Sequence, residues 1–367
     1  MAPRAPRTVE ADLPESDRAG DMPHPRLQER LFGHEAAMGQ MVKAARAGTL
    51  HHAWLICGPK GVGKATLAWR FARALLAHGA ASLPEDLDLP PAHPAFRLVA
   101  AASHPDLALL RRPWDSEKKR FKSELPVDEV RKLKAFFSRH PSLGEARVAL
   151  IDCMDDMNIQ AQNALLKILE EPPKAAVMLL IAHAPGQLLP TIRSRCRVLQ
   201  LRPLSPPDMQ QALQHLAPEA SDEHLAIAAT LCEGAPGNAA AMATSGIISA
   251  YQQILGLLGT LPQVNQANLH GLAEQFMKQF PDQGIEGFSN LLSLAMQRHL
   301  RCAMGTTAAL AAEQKIFARM GQAIAPARWG ELWADLQAAG QRAAALNLDK
   351  KQFVLNAFNS IESAARS

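Results

Sequence analysis

Between residues 31 and 204 the hydrophobic residues fall in short solid runs, separated by longer stretches with a helical period. The runs lie at 53–57, 107–110, 148–151, 177–182 and 198–201, each four to six residues long and apolar on both faces. A strand with one wet face alternates, so runs without alternation predict strands covered on both sides, which is the signature of a parallel sheet. The intervening stretches are long enough for crossover helices. One such helix is predicted at 66–76, and another at 158–171. In the second, Ala161, Leu165, Leu166 and Leu169 share a face and Pro172-Pro173 stops the chain.

Two stretches interrupt this rhythm. Residues 77–103 form a weakly patterned insertion rich in Ala, Pro and His, and residues 111–122 read as a charged surface loop. The basic run Lys118-Lys119-Arg120 fits the solvated tip of a hairpin.

At Pro203 the pattern changes. Ser205 is placed to cap a helix, with Pro206 at its first position and Asp208 in its first turn; Met209, Leu213 and Leu216 then share a face. A second helix is expected over 221–233, ended by Gly234. From residue 247 onward apolar residues recur at helical spacing, as in Ile254/Leu257/Leu258 and Leu291/Leu292/Met296. The last helix should begin at Asp349, with Gln352 completing a capping box and Phe353, Ala357 and Ile361 aligned. No strand pattern follows Leu201. The expected organisation is a tail at 1–26, an α/β domain at 27–204, a small helical domain at 205–245 and a helical domain at 246–367.

Composition narrows the classes. The chain has 367 residues, 48% of them apolar and 20% charged, which is ordinary for a water-soluble globular protein of more than one domain. A net charge of +4 permits a nucleic-acid partner without demanding one. The five cysteines are scattered singly, without C-x-x-C spacing, which favours reduced thiols and a cytoplasmic address over a disulfide framework. No run reaches the ~20 apolar residues of a membrane span. Residues 1–25 hold five prolines and mixed charges with no apolar core of a signal peptide, and read as disordered.

The candidate chemistry begins after the first strand. Gly58-Pro-Lys-Gly-Val-Gly-Lys64 follows the phosphate-loop pattern, in which glycines let backbone N–H groups approach phosphate oxygens and a lysine neutralises charge at a helix N-terminus. Gly58, Gly61, Gly63 and Lys64 supply those parts. Ala65 stands where a hydroxyl should hold magnesium, and Thr66 is turned about 100° away. The run ending at Asp152 resembles a metal-binding aspartate strand, yet the next residue, where a water-orienting glutamate is usual, is Cys153. Asp155 and Asp156 lie close by in sequence but past the strand end, where a shift of two or three residues seldom preserves geometry.

Together these residues carry a family resemblance. With Leu50-His-His-Ala-Trp54, Ser103-His-Pro-Asp106, Val127-Asp-Glu-Val-Arg-Lys-Leu133, Asn163-Ala-Leu-Leu-Lys-Ile-Leu-Glu-Glu-Pro-Pro173 and Thr191-Ile-Arg-Ser-Arg-Cys196, the chain resembles the delta-prime family of bacterial DNA polymerase III clamp-loader subunits, relatives of the AAA+ ATPases. The likeness is strong over about 27–240; beyond, it rests on composition and on 346–349. It implies an AAA+ α/β domain with a P-loop NTPase-like sheet, a helical lid and an all-α C-terminal collar.

The resemblance also implies roles. In the motor subunits of that family the Ser-Arg-Cys arginine reaches a neighbour's γ-phosphate, so Arg195 is expected to act in trans as an arginine finger, a task suited to a planar, permanently charged guanidinium. Arg193 and Arg197 are read as packing or salt-bridge residues. Gly234-Ala-Pro-Gly-Asn238 stands where a motor subunit tends to carry a nucleotide-sensing arginine, and His183 stands near a position usually held by a small polar residue. The implied protein is a catalytically silent subunit with a degenerate, vestigial nucleotide loop at Gly58, Gly61, Gly63, Lys64 and Asp152. It needs no cofactor, although weak ATP and magnesium binding stays open. No cysteine lies between Cys57 and Cys153, so the family's zinc knuckle is not expected, and no metal ligand is assigned. The implied partners are the gamma/tau motor subunits and the delta subunit in a hetero-oligomer, with the sliding clamp and primer-template DNA reached through the complex, and no membrane. Polymerase activity would belong to the holoenzyme. The alternative is a gamma/tau-like subunit that hydrolyses its own ATP, which would need the groups missing at 65 and 153.

Overall fold

The structure is a computed structural model that describes residues 14–18, 20, 22–281, 284–308, 310–346 and 348–366. By their contacts the residues group into two compact units, 1–219 with 231–241 and 220–230 with 242–367.

The first unit is built on a sheet. Its strands are β1 (Ala53–Cys57), β2 (Leu107–Leu110), β5 (Arg147–Asp152), β6 (Ala176–Ala182) and β7 (Arg197–Gln200), with β3 (Trp114–Asp115) and β4 (Arg120–Phe121) forming a separate hairpin. The five sheet strands run parallel in the order β2-β5-β6-β1-β7. The hairpin turns through Lys118 and Lys119, as predicted, while Arg120 already lies in β4 opposite Asp115. β1 and β6 are buried at every position, and β5 at all but Asp152, as solid apolar runs require. The edge is different. In β7 only Leu199 is buried and Val198 is half exposed, because an edge strand has no neighbour on one side.

Helices α1 (Glu35–Arg46), α2 (Lys64–His78), α3 (Pro94–Ala100), α4 (Val127–Phe137), α5 (Ile159–Glu170) and α6 (Pro190–Arg193) belong to this unit, as does α7 (Pro206–Leu216). α5 starts where Asn158 Oδ1 accepts from the Ala161 N–H at 2.9 Å, a cap worth about 1 kcal/mol. Its Ala161, Leu165 and Leu169 enter the core beside Leu55, Ile151 and Leu180. Leu166 packs at the margin of that core. The insertion is not structureless. Leu89, Ala95 and Phe96 make a small cluster of their own, and the Arg73 guanidinium lies 4.3 Å above the Phe96 ring.

The expectation of a disordered tail is corrected for its described residues. Asp17 is fully buried between Arg111 Nη1 at 2.6 Å and His24 Nε2 at 3.0 Å, and Glu15 reaches Arg111 at 2.9 Å and Arg26 at 2.5 Å. Burial works against the Asp17 carboxylate, but the hydrogen bond and charge of His24, with Arg111, hold it below the usual carboxyl range. Charged residues that look solvated in sequence are fixed here by counter-charges far along the chain. The remainder of that segment, residues 1–13, 19 and 21, lies outside the described residues.

The domain boundary expected at 204/205 falls inside the first unit. α7 groups with the sheet, as does the start of α9 (Pro236–Thr244), while most of α8 (Asp222–Leu231) groups with the C-terminal helices. The second unit is otherwise α10 (Ile247–Leu258), α11 (Gln266–Gln279), α12 (Gly284–Ala303), α13 (Ala311–Ala323), α14 (Pro326–Ala345) and α15 (Lys350–Arg366). Phe353, Ala357 and Ile361 are buried along α15 as their spacing predicts, and Asp349 Oδ1 accepts from the Gln352 N–H at 2.7 Å. Asn347, in the 346–349 segment, lies outside the described residues. Buried Glu313 is satisfied by three donors: Tyr251 Oη, Arg298 Nε and Arg298 Nη2, each at 2.7 Å.

Candidate functional site

Register decides which loops meet. Cys57 pairs with Ala182 and Asp152 with Ile181, so the C-terminal ends of β1, β6 and β5 lie side by side. The chain that leaves each end carries the glycine loop, His183 and Cys153. Loops past strand ends are where open α/β sheets build sites, and here three are brought together.

The loop has the conformation its glycines predict. Gly58, Gly61 and Gly63 adopt φ of 149°, 79° and 113°, which L side chains rarely reach. A Cβ on Gly58 would come within 2.6 Å of the Leu201 carbonyl, so strand β7's exit locks that residue. Lys64 opens α2 and is buried at 3% exposure, with Nζ donating to the Gly58 and Pro59 carbonyls at 2.7 Å each. Burial pulls its ammonium down to about 8, against the opposing pull of Asp152 and Asp155.

The start of α9 lies on the loop. The Gly237 N–H donates to the Gly61 carbonyl at 2.8 Å, and Asn238 Nδ2 donates to the Lys60 carbonyl at 2.9 Å. A Cβ on Gly61 would collide with the Asn238 side chain and lie 2.8 Å from its backbone nitrogen. In sequence this segment stands out only for lacking an arginine. Its cover over the loop is signalled in sequence only by two small or polar residues, Gly237 and Asn238, directly after a helix-starting proline. At this loop, position 65 offers a methyl group where a metal-binding hydroxyl is usual, Lys64 Nζ is bonded to its own loop, and the start of α9 lies against Gly61.

Asp152 sits at the end of β5. Burial pushes its carboxyl up to about 7, and the nearby Asp17 charge adds to this, although Lys64 and Lys60 pull the other way. Both following aspartates already hold partners within the chain. Asp155 accepts from the His183 and Ala184 N–H groups at 2.6 and 2.7 Å, and Asp156 pairs with Arg112 Nε at 3.1 Å. His183 is therefore tied to the loop after β5 across 28 residues, a link with no local signal in the sequence. Cys153, Asp155 and His183 place one ligand atom each within 4.8 Å of one another. Burial and the Lys64 charge hold the imidazole below its ordinary value, and burial with three neighbouring aspartates pushes the Cys153 thiol far up.

Arg195 is elsewhere. It follows α6, half exposed, with Nη1 donating to the Thr191 carbonyl at 3.2 Å and Nη2 pairing with Glu170 Oε1 at 3.0 Å. Glu170 itself is half exposed. Arg197 stacks over Trp54 at 4.9 Å, a packing role as read from the sequence. All five cysteines are free, and no helix among the described residues is long and apolar enough to cross a membrane.

The family model described as DNA polymerase III, delta subunit, matches residues 33–205. The chain is 38% identical over 241 residues to DNA polymerase III subunit delta' of Pseudomonas aeruginosa, covering 66% of this chain and 61% of that protein. It is 34% identical over 211 residues to the Escherichia coli subunit delta', covering 55% of this chain and 58% of that protein. Against the Yersinia pestis subunit delta' it is 31% identical over 246 residues, covering 62% of this chain and 68% of that protein. The chain thus spans about three fifths of the length of the first two relatives.

Proposed function

The chain belongs to the DNA polymerase III subunit delta' family, and from that membership we propose that it is a catalytically silent clamp-loader subunit. In this reading it closes a ring of AAA+ subunits, presents Arg195 to ATP bound by a gamma/tau motor neighbour, and helps seat the sliding clamp on primed DNA in the cytoplasm. The observation that carries it is the contrast at the loop. The fold of a phosphate loop is kept in full, while the groups that would make it an ATPase are absent or engaged within the chain.

The chemistry assigned to this chain is accordingly electrostatic. A guanidinium at a neighbour's phosphate stabilises the charge that develops on the transferring phosphoryl group, and its fork can bind two oxygens at once. Arg195 is exposed enough to reach a partner, and its present partners are replaceable. A carbonyl and a surface carboxylate hold it without burying it.

The test is to mix the purified chain with a gamma/tau subunit and a delta subunit of the same organism and follow complex formation and ATP hydrolysis. A complex should form, and hydrolysis should depend on Arg195. The chain alone should show no magnesium-dependent turnover. Turnover by the chain alone that disappears with Lys64→Ala would overturn this reading in favour of a motor subunit.

A further inference from the structure

We propose that Cys153, Asp155 and His183 form a binding site for one divalent zinc-class cation, which ties the loop after β5 to the loop after β6. Thiolate, imidazole and carboxylate are the donors zinc prefers, and three protein donors leave a fourth position for water. The three ligand atoms lie within 4.8 Å of one another. Tetrahedral bonds to such ligands hold them roughly 3.5 Å apart, so closing on an ion needs movements of about an ångström.

Three further observations fit a site. Cys153 is 7% exposed, and the His183 Nδ1 is buried with no hydrogen-bond partner among the described residues. Such an orphaned ring nitrogen carries a cost that metal ligation removes. Asp155 is oriented by two backbone donors, the N–H groups of His183 and Ala184, which leaves its remaining lone pairs for a cation. Supporting hydrogen bonds of this kind are what hold ligating carboxylates in place.

Charge also balances. Lys64 stands near the same strand ends, and a cation beside an ammonium would ordinarily be repelled. With Cys153 as thiolate, the negative charges of Cys153, Asp155 and Asp152 equal those of a divalent ion plus Lys64. The proton of the thiol leaves to solvent as the metal–sulfur bond forms. This site is distinct from a cysteine knuckle in the 77–103 insertion and revises the expectation that the chain has no metal ligands. It does not depend on the clamp-loader assignment, since it concerns the isolated chain.

The experiment uses the full chain, stripped with a chelator and titrated with Co²⁺ as a spectroscopic probe, then with Zn²⁺ in competition. The expected result is one equivalent bound, a sulfur-to-cobalt charge-transfer band, and intense visible bands of tetrahedral coordination. The charge-transfer band should vanish with Cys153→Ser and persist with Cys302→Ser. His183→Gln and Asp155→Asn should each weaken binding at least roughly tenfold. Because Asp155 also caps backbone N–H groups, folding of each variant is checked by circular dichroism, and His183→Gln decides if Asp155→Asn or Cys153→Ser fails to fold. No thiolate band in the wild type, a band that survives Cys153→Ser, or affinity unchanged by His183→Gln would each overturn the proposal.

Discussion

The glycine loop and the Arg195 corner are both cationic features on one sheet, and they differ in how their polar groups are satisfied. Lys64 is buried and bonded to two carbonyls of its own loop, and residues at the start of α9 cover the glycine behind it. Arg195 is half exposed and held by one carbonyl and one surface carboxylate. A group whose partners are internal and desolvated is expensive to redirect, because leaving them unpaired costs about 1–3 kcal/mol per group. A surface ion pair costs about 0–1 kcal/mol to exchange for another anion. The first region is committed to the fold, and the second remains available to a partner.

The sharpest way to break this comparison is Arg195→Ala. If Arg195 acts in trans as proposed, then in a complex with motor subunits the ATP site it serves should lose roughly 10³–10⁵ in hydrolysis rate on this substitution, as removal of finger arginines does in related phosphoryl-transfer enzymes. The fall in total ATPase will be smaller where other sites keep their own fingers. Arg195→Lys should rescue poorly, since an ammonium keeps the charge without the bidentate fork. The variant's own stability should change little. Equal clamp-loading rates for wild type, Ala and Lys forms would remove the functional half of the contrast.

The converse test strikes the committed region. Gly58→Ala forces a side chain into φ of 149° with its Cβ 2.6 Å from the Leu201 carbonyl. Strain and overpacking together should destabilise the chain by roughly 2–5 kcal/mol in chemical denaturation. A loop that tolerates alanine without loss would mean that the glycine serves an approaching ligand and not the fold.

Both halves of the comparison were partly legible in the sequence. Solid apolar runs betrayed the buried strands, and the glycine motif betrayed the positive-φ turn of the loop after β1. What could not be read were contacts made across long sequence distances. Asn238 meets Lys60 across 178 residues, Arg111 meets Glu15 across 96, and Asp155 meets the His183 N–H across 28. Local pattern carries no information on such pairings until strand order and register are known. The exposure of the edge strand escapes the sequence for a related reason, because Val198 looks like its core counterparts and only the absence of a neighbouring strand exposes it.

A third test uses pH. The Asp152 carboxyl, raised from an ordinary value of 3.8 to about 7 in the folded chain, binds its proton more tightly there than in the unfolded chain. Its favourable contribution is therefore full below about pH 4 and is lost as pH rises through about 7. Asp152→Asn removes the partly desolvated charge at similar volume. The variant should gain roughly 1–3 kcal/mol relative to wild type at pH 8, and the difference should vanish near pH 4. A variant less stable than wild type at pH 8 would mean that attraction to Lys64 outweighs burial, and the loop would then be an ion-paired site and not a desolvated one.

The smallest expected effect concerns the pair that holds Arg195. Glu170 and Arg195 form a 3.0 Å pair with both side chains partly in water, so each loses little solvation and gains little from the other. Glu170→Gln should therefore shift stability by less than about 0.5 kcal/mol, within the range of exposed pairs. Its informative readout is the assembled complex. If Glu170 merely shields the guanidinium at rest, the substitution should leave hydrolysis equal to wild type or slightly raised, since a neighbour's phosphate no longer competes with a carboxylate. If Glu170 aims the fork, hydrolysis should fall toward the level of Arg195→Lys while binding between subunits stays intact. The geometry favours the first outcome. The pair is one ion contact through Nη2, and Nη1 is held independently by the Thr191 carbonyl, so the guanidinium keeps an anchor when Glu170 is neutral.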